Sequence, residues 1–164
     1  MEAQFRAYLG VLRELTGTLD RLAPLEKQKA EAARAGDLLA LDEVLKQEQA
    51  LGLNLRGMEL KRQKLAPQLG LDGAPLSALP ERCPPELADE ARKTAGVLRR
   101  SYEIYRSYSD MARNTLELNL HQIDKFLEAS GVDPKLAAQG YEALPMEPPK
   151  KMKTDFRACG RLTT

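Results

Sequence analysis

The sequence predicts an all-α protein: an elongated antiparallel bundle of three long, coiled-coil-like helices followed by a short, mobile C-terminal helical tail. Three observations carry that expectation. Aromatics make up only 5% of the 164 residues, Trp is absent, and Leu, Ala, Glu, Gln, Lys and Arg dominate the first two thirds, residues that lose little side-chain freedom in a helix. Apolar residues recur at alternating spacings of three and four over three long stretches. Glycine and proline mark where those stretches end. A chain of this length suits one domain, with residues 1–131 as the bundle and 132–164 as the tail.

The first helix is expected over 2–35. Its seam runs through Phe5, Tyr8, Leu12, Leu15, Leu19 and Leu22, a seven-residue repeat of coiled-coil type. Pro24 falls inside the pattern and, lacking an amide hydrogen, predicts a kink or a local restart. Ala35-Gly36-Asp37 then reads as a stop followed by an N-cap, because glycine tolerates the left-handed conformation and aspartate accepts from the next turn's free amides.

A second helix follows over 38–69, with its seam at Leu41, Val44, Glu48, Leu51, Leu55, Met58, Arg62, Leu65 and Leu69. Glu48 and Arg62 interrupt it with charge, Gly52 and Gly57 weaken it, and Gly70 and Gly73 close it. Residues 71–85 hold Gly73, Pro75, Pro80, Pro84 and Pro85, which predicts a connecting loop that packs Leu76 and Leu79 back onto the bundle.

Pro84 and Pro85 suit a helix start, and Glu86, Asp89 and Glu90 favour its positive end. The third helix, expected over 85–130, has its seam at Ala91, Ala95, Leu98, Tyr102, Tyr105, Ser109, Ala112, Leu116, Asn119, Ile123 and Phe126. At ~1.5 Å per residue its 45 or so residues would reach roughly 65 Å, so the bundle is a rod. Arg99, Arg106 and Arg113 recur every seven residues, each followed four residues later by Glu103, Asp110 or Glu117, which reads as a solvated face of weak intrahelical pairs. Tyr102, Tyr105 and Tyr108 fan over about a third of the circumference, so two belong to the core and one to its rim. Asn119 reads as a register-setting polar residue in the seam. Beyond Pro134 a short helix over 135–144 is expected, then Pro145, Pro148 and Pro149 end regular structure, and Lys150, Lys151, Lys153, Arg157 and Arg161 make the tail basic.

No catalytic, cofactor-binding or metal-binding residue is expected. Glycine-rich phosphate loops are absent, and His121, the one histidine, cannot assemble a two-histidine metal site, although Glu117 shares its helix face. Cys83 and Cys159 are two separate thiols with no disulfide or Cys-x-x-Cys spacing, which suits a reducing compartment. Arg82 is the one neighbour that could activate Cys83. The formal net charge of +1 gives no bulk attraction to nucleic acid or membrane surfaces, and neither a secretory signal nor an apolar run long enough to span a membrane occurs. A cytoplasmic protein that acts by binding is the expectation.

Three stretches give a resemblance. Ala35-Gly36-Asp37-Leu38 with Leu41 to Leu45 and Lys46-Gln47-Glu48, then Glu59-Leu60-Lys61-Arg62-Gln63-Lys64-Leu65 with Leu69-Gly70-Leu71, and finally Phe156-Arg157-Ala158-Cys159-Gly160-Arg161 resemble the FlgN-type flagellar export chaperones. Phe156 stands where that family's tail usually has Tyr. The resemblance implies a helical chaperone that binds the C-terminal amphipathic helix of hook–filament junction proteins and brings them to the flagellar export apparatus. It places the partner site toward the C-terminal half, on Leu116, Leu120, Ile123, Phe126 and Leu127, with Leu136, Leu144 and Phe156 beyond. The alternative is a structural or adaptor coiled-coil protein that self-associates through the same seams, and either reading accommodates a homodimer.

Overall fold

A computed structural model describes residues 1–131, 133 and 135. Its elements are α1 (Glu2–Ala35), α2 (Leu38–Gln68), a 3-10 turn (Leu76–Ala78), the single-turn α3 (Leu79–Arg82), a second 3-10 turn (Pro85–Leu87) and α4 (Ala88–Ala129). The described residues form no strand. The three long helices lie where the seam patterns put them.

α1 is the central element. It packs against α2 on one side and α4 on the other, while α2 and α4 scarcely meet. Burial follows from this: sixteen of α1's 34 residues are buried, against four of 31 in α2 and six of 42 in α4. The α1 seam residues are all inside, and Leu9, Val11, Leu25 and Ala30 join them on the flanks. Each buried leucine contributes about 1.5–3 kcal/mol by leaving water, so the fold rests chiefly on this one helix.

Lateral pairs fix the directions. Tyr8 lies beside Arg62 and Lys29 beside Glu48, so α2 runs antiparallel to α1. Arg13 pairs with Glu90 near the start of α4, and Asn119 reaches Ala33 near the end of α1, so α4 runs parallel to α1 and antiparallel to α2.

Helix ends follow their local chemistry. Gly36 takes φ 66° as the C-cap of α1, and the amide of Asp37 donates back to the Ala32 carbonyl at 3.0 Å, a glycine-terminated stop. The Asp37 carboxylate then accepts from the Ala40 amide at 3.0 Å and caps α2. Pro24 causes no restart: α1 is continuous through it. Pro24 is exposed while Leu22, Ala23 and Leu25 beside it are buried, so the hydrogen bond it forfeits faces water and the anchored core side carries the helix through.

The connecting segment is more ordered than a plain loop. Leu71, Leu79, Cys83 and Leu87 are buried in the main core, Leu76 packs against it, and Arg82 donates to the Gly70 carbonyl at 2.8 Å. Its two 3-10 turns and α3 are short because prolines recur every few residues.

Candidate functional site

The third seam outlasts its partner. Along α4 the seam residues from Ala91 to Asn119 are buried or half-buried, and then Leu120, Ile123 and Phe126 are 62%, 54% and 70% exposed. The side-chain Nδ2 of Asn119 donates to the Ala33 carbonyl at 2.6 Å, one turn before α1 ends at Gly36. The ten residues from Leu120 to Ala129 therefore rise ~15 Å further, and no helix among the described residues accompanies them. Leu116 and Leu127 are half-buried at either end of the stretch. Large apolar side chains spread over about a third of the circumference of an unaccompanied helix are the mark of a surface meant to be covered. The Gly36–Asp37 turn at the same end adds Leu38 and Leu39, 76% and 86% exposed. Sequence reasoning missed that pair. It stands off the α2 seam, directly after a capping aspartate, and an apolar pair so placed was the available signal.

Below this end the bundle buries charge instead. The Lys29 ammonium lies 2.8 Å from Glu26 Oε2 and 2.9 Å from Glu48 Oε1 and donates to Glu48 Oε2 at 3.0 Å. Tyr105 of α4 closes the group, beside Ser109. Burial pulls the Lys29 ammonium down, but the bonds to Glu26 and Glu48 outweigh it and its pKa rises. Burial pushes the Glu48 carboxyl up against the pull of Lys29, and Glu26 adds to that push. Burial likewise raises the Tyr105 phenol. Two carboxylates thus share one cation where all three helices meet. Glu48 was legible as a charged seam position; Glu26 and Lys29 were missed, although the three-and-four spacing of the first seam, carried past Leu22 and Pro24, falls on both. The second charged seam residue, Arg62, donates to Glu59 at 2.7 and 2.8 Å and to the Tyr8 hydroxyl at 3.4 Å. Chiefly through Glu59, its guanidinium is held above its ordinary range.

Cys83 is buried, its thiol donates to the Pro80 carbonyl at 3.3 Å, and burial pushes its pKa up, the opposite of an activated thiol; Arg82 points to Gly70 instead. His121 and Glu117 are exposed on α4, and no group of three or more metal-ligating side chains occurs among the described residues. Arg99–Glu103 and Arg106–Asp110 pair on the solvated face at 3.2 and 3.9 Å. A shallow cleft of about 150 Å³ between Leu76, Pro80, Arg92 and Arg99 is smaller than the several hundred Å³ of an ordinary ligand pocket. Leu136, Leu144, Phe156, Cys159 and the expected 135–144 helix lie outside the described residues, save that the Lys135 amide donates to the Asp133 carboxylate at 2.9 Å.

Against this geometry, a family model described as FlgN protein matches residues 1–143. The chain belongs to the FlgN family. This is a chaperone family of flagellum biogenesis, whose members bind flagellar export substrates, and an exposed apolar helix end on a helical bundle suits that work. No curated protein and no solved structure matches the chain. No helix among the described residues is long and apolar enough to cross a membrane.

Proposed function

We propose that this FlgN-family chaperone captures the C-terminal amphipathic helix of hook–filament junction subunits on the free end of α4, in the cytoplasm, and carries them to the flagellar export apparatus. The observation that supports the reading is the seam that continues past its partner. A captured helix would lie where α1 has ended and cover Leu116, Leu120, Ile123, Phe126 and Leu127, as a helix laid in an apolar groove. Residues 1–131 act as the body of the chaperone, and the 132–164 tail adds Leu136, Leu144 and Phe156 to the cargo contact. Covering such a helix keeps a self-polymerising subunit from assembling early, competition at the export apparatus releases it, and no catalysis is needed.

Calorimetric titration of the full chain with synthetic C-terminal helices of hook–filament junction subunits tests this, repeated on the chain truncated after Gly131. Saturable one-site binding that weakens on truncation is the expected result. Absence of binding to any such peptide overturns the reading.

One observation favours a second reading, self-association as a structural coiled coil. Val97, Ile104 and Leu118 are exposed on α4 at intervals of seven and fourteen residues. Sedimentation equilibrium decides it: a homodimer lost on Ile104→Lys supports this second reading, and a concentration-independent monomer removes it.

A further inference from the structure

The acidic residues of α4 change their surroundings at the same height as the seam. Glu103, Asp110, Glu117 and Asp124 recur every seven residues. Below Arg113 the pattern is self-neutralising, with Arg99 and Arg106 each reaching the acid four residues on. Above it the arginines stop while the acids continue: Arg113, four residues before Glu117, makes no ion pair with it, four residues before Asp124 stands Leu120, and four residues before Glu128 stands Asp124. Glu117, Asp124 and Glu128 are all exposed, and none makes an ion pair or side-chain hydrogen bond among the described residues.

Their position relative to the apolar line follows from 3.6 residues per turn. Asp124 lies about 70° and Glu117 about 90° around the helix from the mean direction of Leu116, Leu120, Ile123 and Leu127, with Glu128 at about 110° on the same side. Those angles put them along one edge of the line, the place from which charged side chains reach a neighbouring helix in a coiled coil. Lys125, the one cation of this end, lies about 170° away on the back of the helix. The opposite edge carries Asn119, Gln122 and Phe126 and has no charge.

We infer that the occupant of this surface is an amphipathic helix with lysine or arginine along one edge, placed to meet Glu117, Asp124 and Glu128 while its apolar face covers Leu116, Leu120, Ile123 and Leu127. The inference rests on the capture reading above and adds to it the chemistry of the partner and the sense in which it lies. Apolar burial holds the helix; the single charged edge selects it and fixes its rotation, because a helix with an acidic edge would set like charges together.

The test uses the full chain and three synthetic helices that share one apolar face and differ only along one edge, in Lys, Gln or Glu. Titrations at low salt are expected to rank Lys over Gln over Glu, with about tenfold between the first and last, and the spread is expected to collapse above roughly 0.5 M salt as the charges are screened. The triple variant Glu117→Lys/Asp124→Lys/Glu128→Lys, at exposed positions and checked for unchanged helicity, is expected to invert the order. Equal affinity for all three helices, or no inversion in the variant, overturns the edge and leaves capture standing. Failure of all three to bind, together with failure of the junction-subunit helices, overturns capture itself. A peptide of residues 145–164, basic through Lys150, Lys151, Lys153, Arg157 and Arg161, is the rival occupant; if it displaces the Lys-edged helix from the full chain at equal or lower concentration, the surface is self-covering and the proposal fails.

Discussion

Glu26, Lys29, Glu48 and Tyr105 meet where α1, α2 and α4 are all present, whereas Ile123 and Phe126 stand where α4 continues alone. In the first region charge is buried, and in the second hydrocarbon is exposed. Each inverts the usual distribution of residues between core and surface, and the cause differs. Charge can stay inside because its partners arrive from more than one helix; the apolar line stays outside because the helix that would cover it has ended. A buried group without a local partner usually answers to the fold, and an exposed apolar row without a local partner answers to another molecule.

The largest expected effect breaks the first region. Lys29→Met leaves the Glu26 and Glu48 carboxylates beside one another without a cation, and removing one side of a buried ionic group costs about 3–5 kcal/mol; chemical denaturation of variant and wild type measures it. A similar loss, about 2–5 kcal/mol, is expected for Leu12→Ala in the packed centre of α1. Asn119→Ala, at the boundary between the regions, should cost about 1 kcal/mol for its bond to Ala33. Phe126→Ala, in the second region, should move stability by no more than ~0.5 kcal/mol in either direction. A loss comparable to that of Leu12→Ala would show that Phe126 is part of the packed core.

Acidity sharpens the contrast. The folded Glu48 carboxyl sits above its ordinary 4.5, so between 4.5 and its folded value the native state holds more protons than the unfolded chain, and this group's contribution rises as pH falls through that window. Lys29 is raised from 10.5, so its contribution is complete below 10.5 and disappears only as pH climbs through the higher folded value. In denaturation from pH 8 down to 4, wild type should therefore gain on Glu48→Gln as acid is added. A constant difference between the two proteins would show that Glu48 does not titrate with folding.

Most of the long-range plan could be read from residue spacing. Gly36 and Asp37 placed the first turn to the residue, because their roles depend on backbone angle and a side-chain cap within three residues. The α4 seam named Ile123 and Phe126 as apolar positions, and the family resemblance added Leu120 and singled out all three as a partner site. Their exposure was not legible, since it depends on α1 ending beside Asn119, a matter of how two helices are staggered. Glu26 and Lys29 escaped notice because they are charged and stand beyond Pro24, although the spacing of the first seam falls on both. Pro24 misled because the direction in which its missing hydrogen bond faces is set by packing, not by the local sequence.

One double variant tests the central claim, that the free end of α4 serves binding and not folding. Ile123→Ser/Phe126→Ser should melt at the wild-type temperature and lose affinity for a hook–filament junction helix by at least about tenfold, roughly 1.4 kcal/mol, with both quantities measured on one preparation. A lowered melting temperature with unchanged affinity would contradict the account and return these side chains to the core.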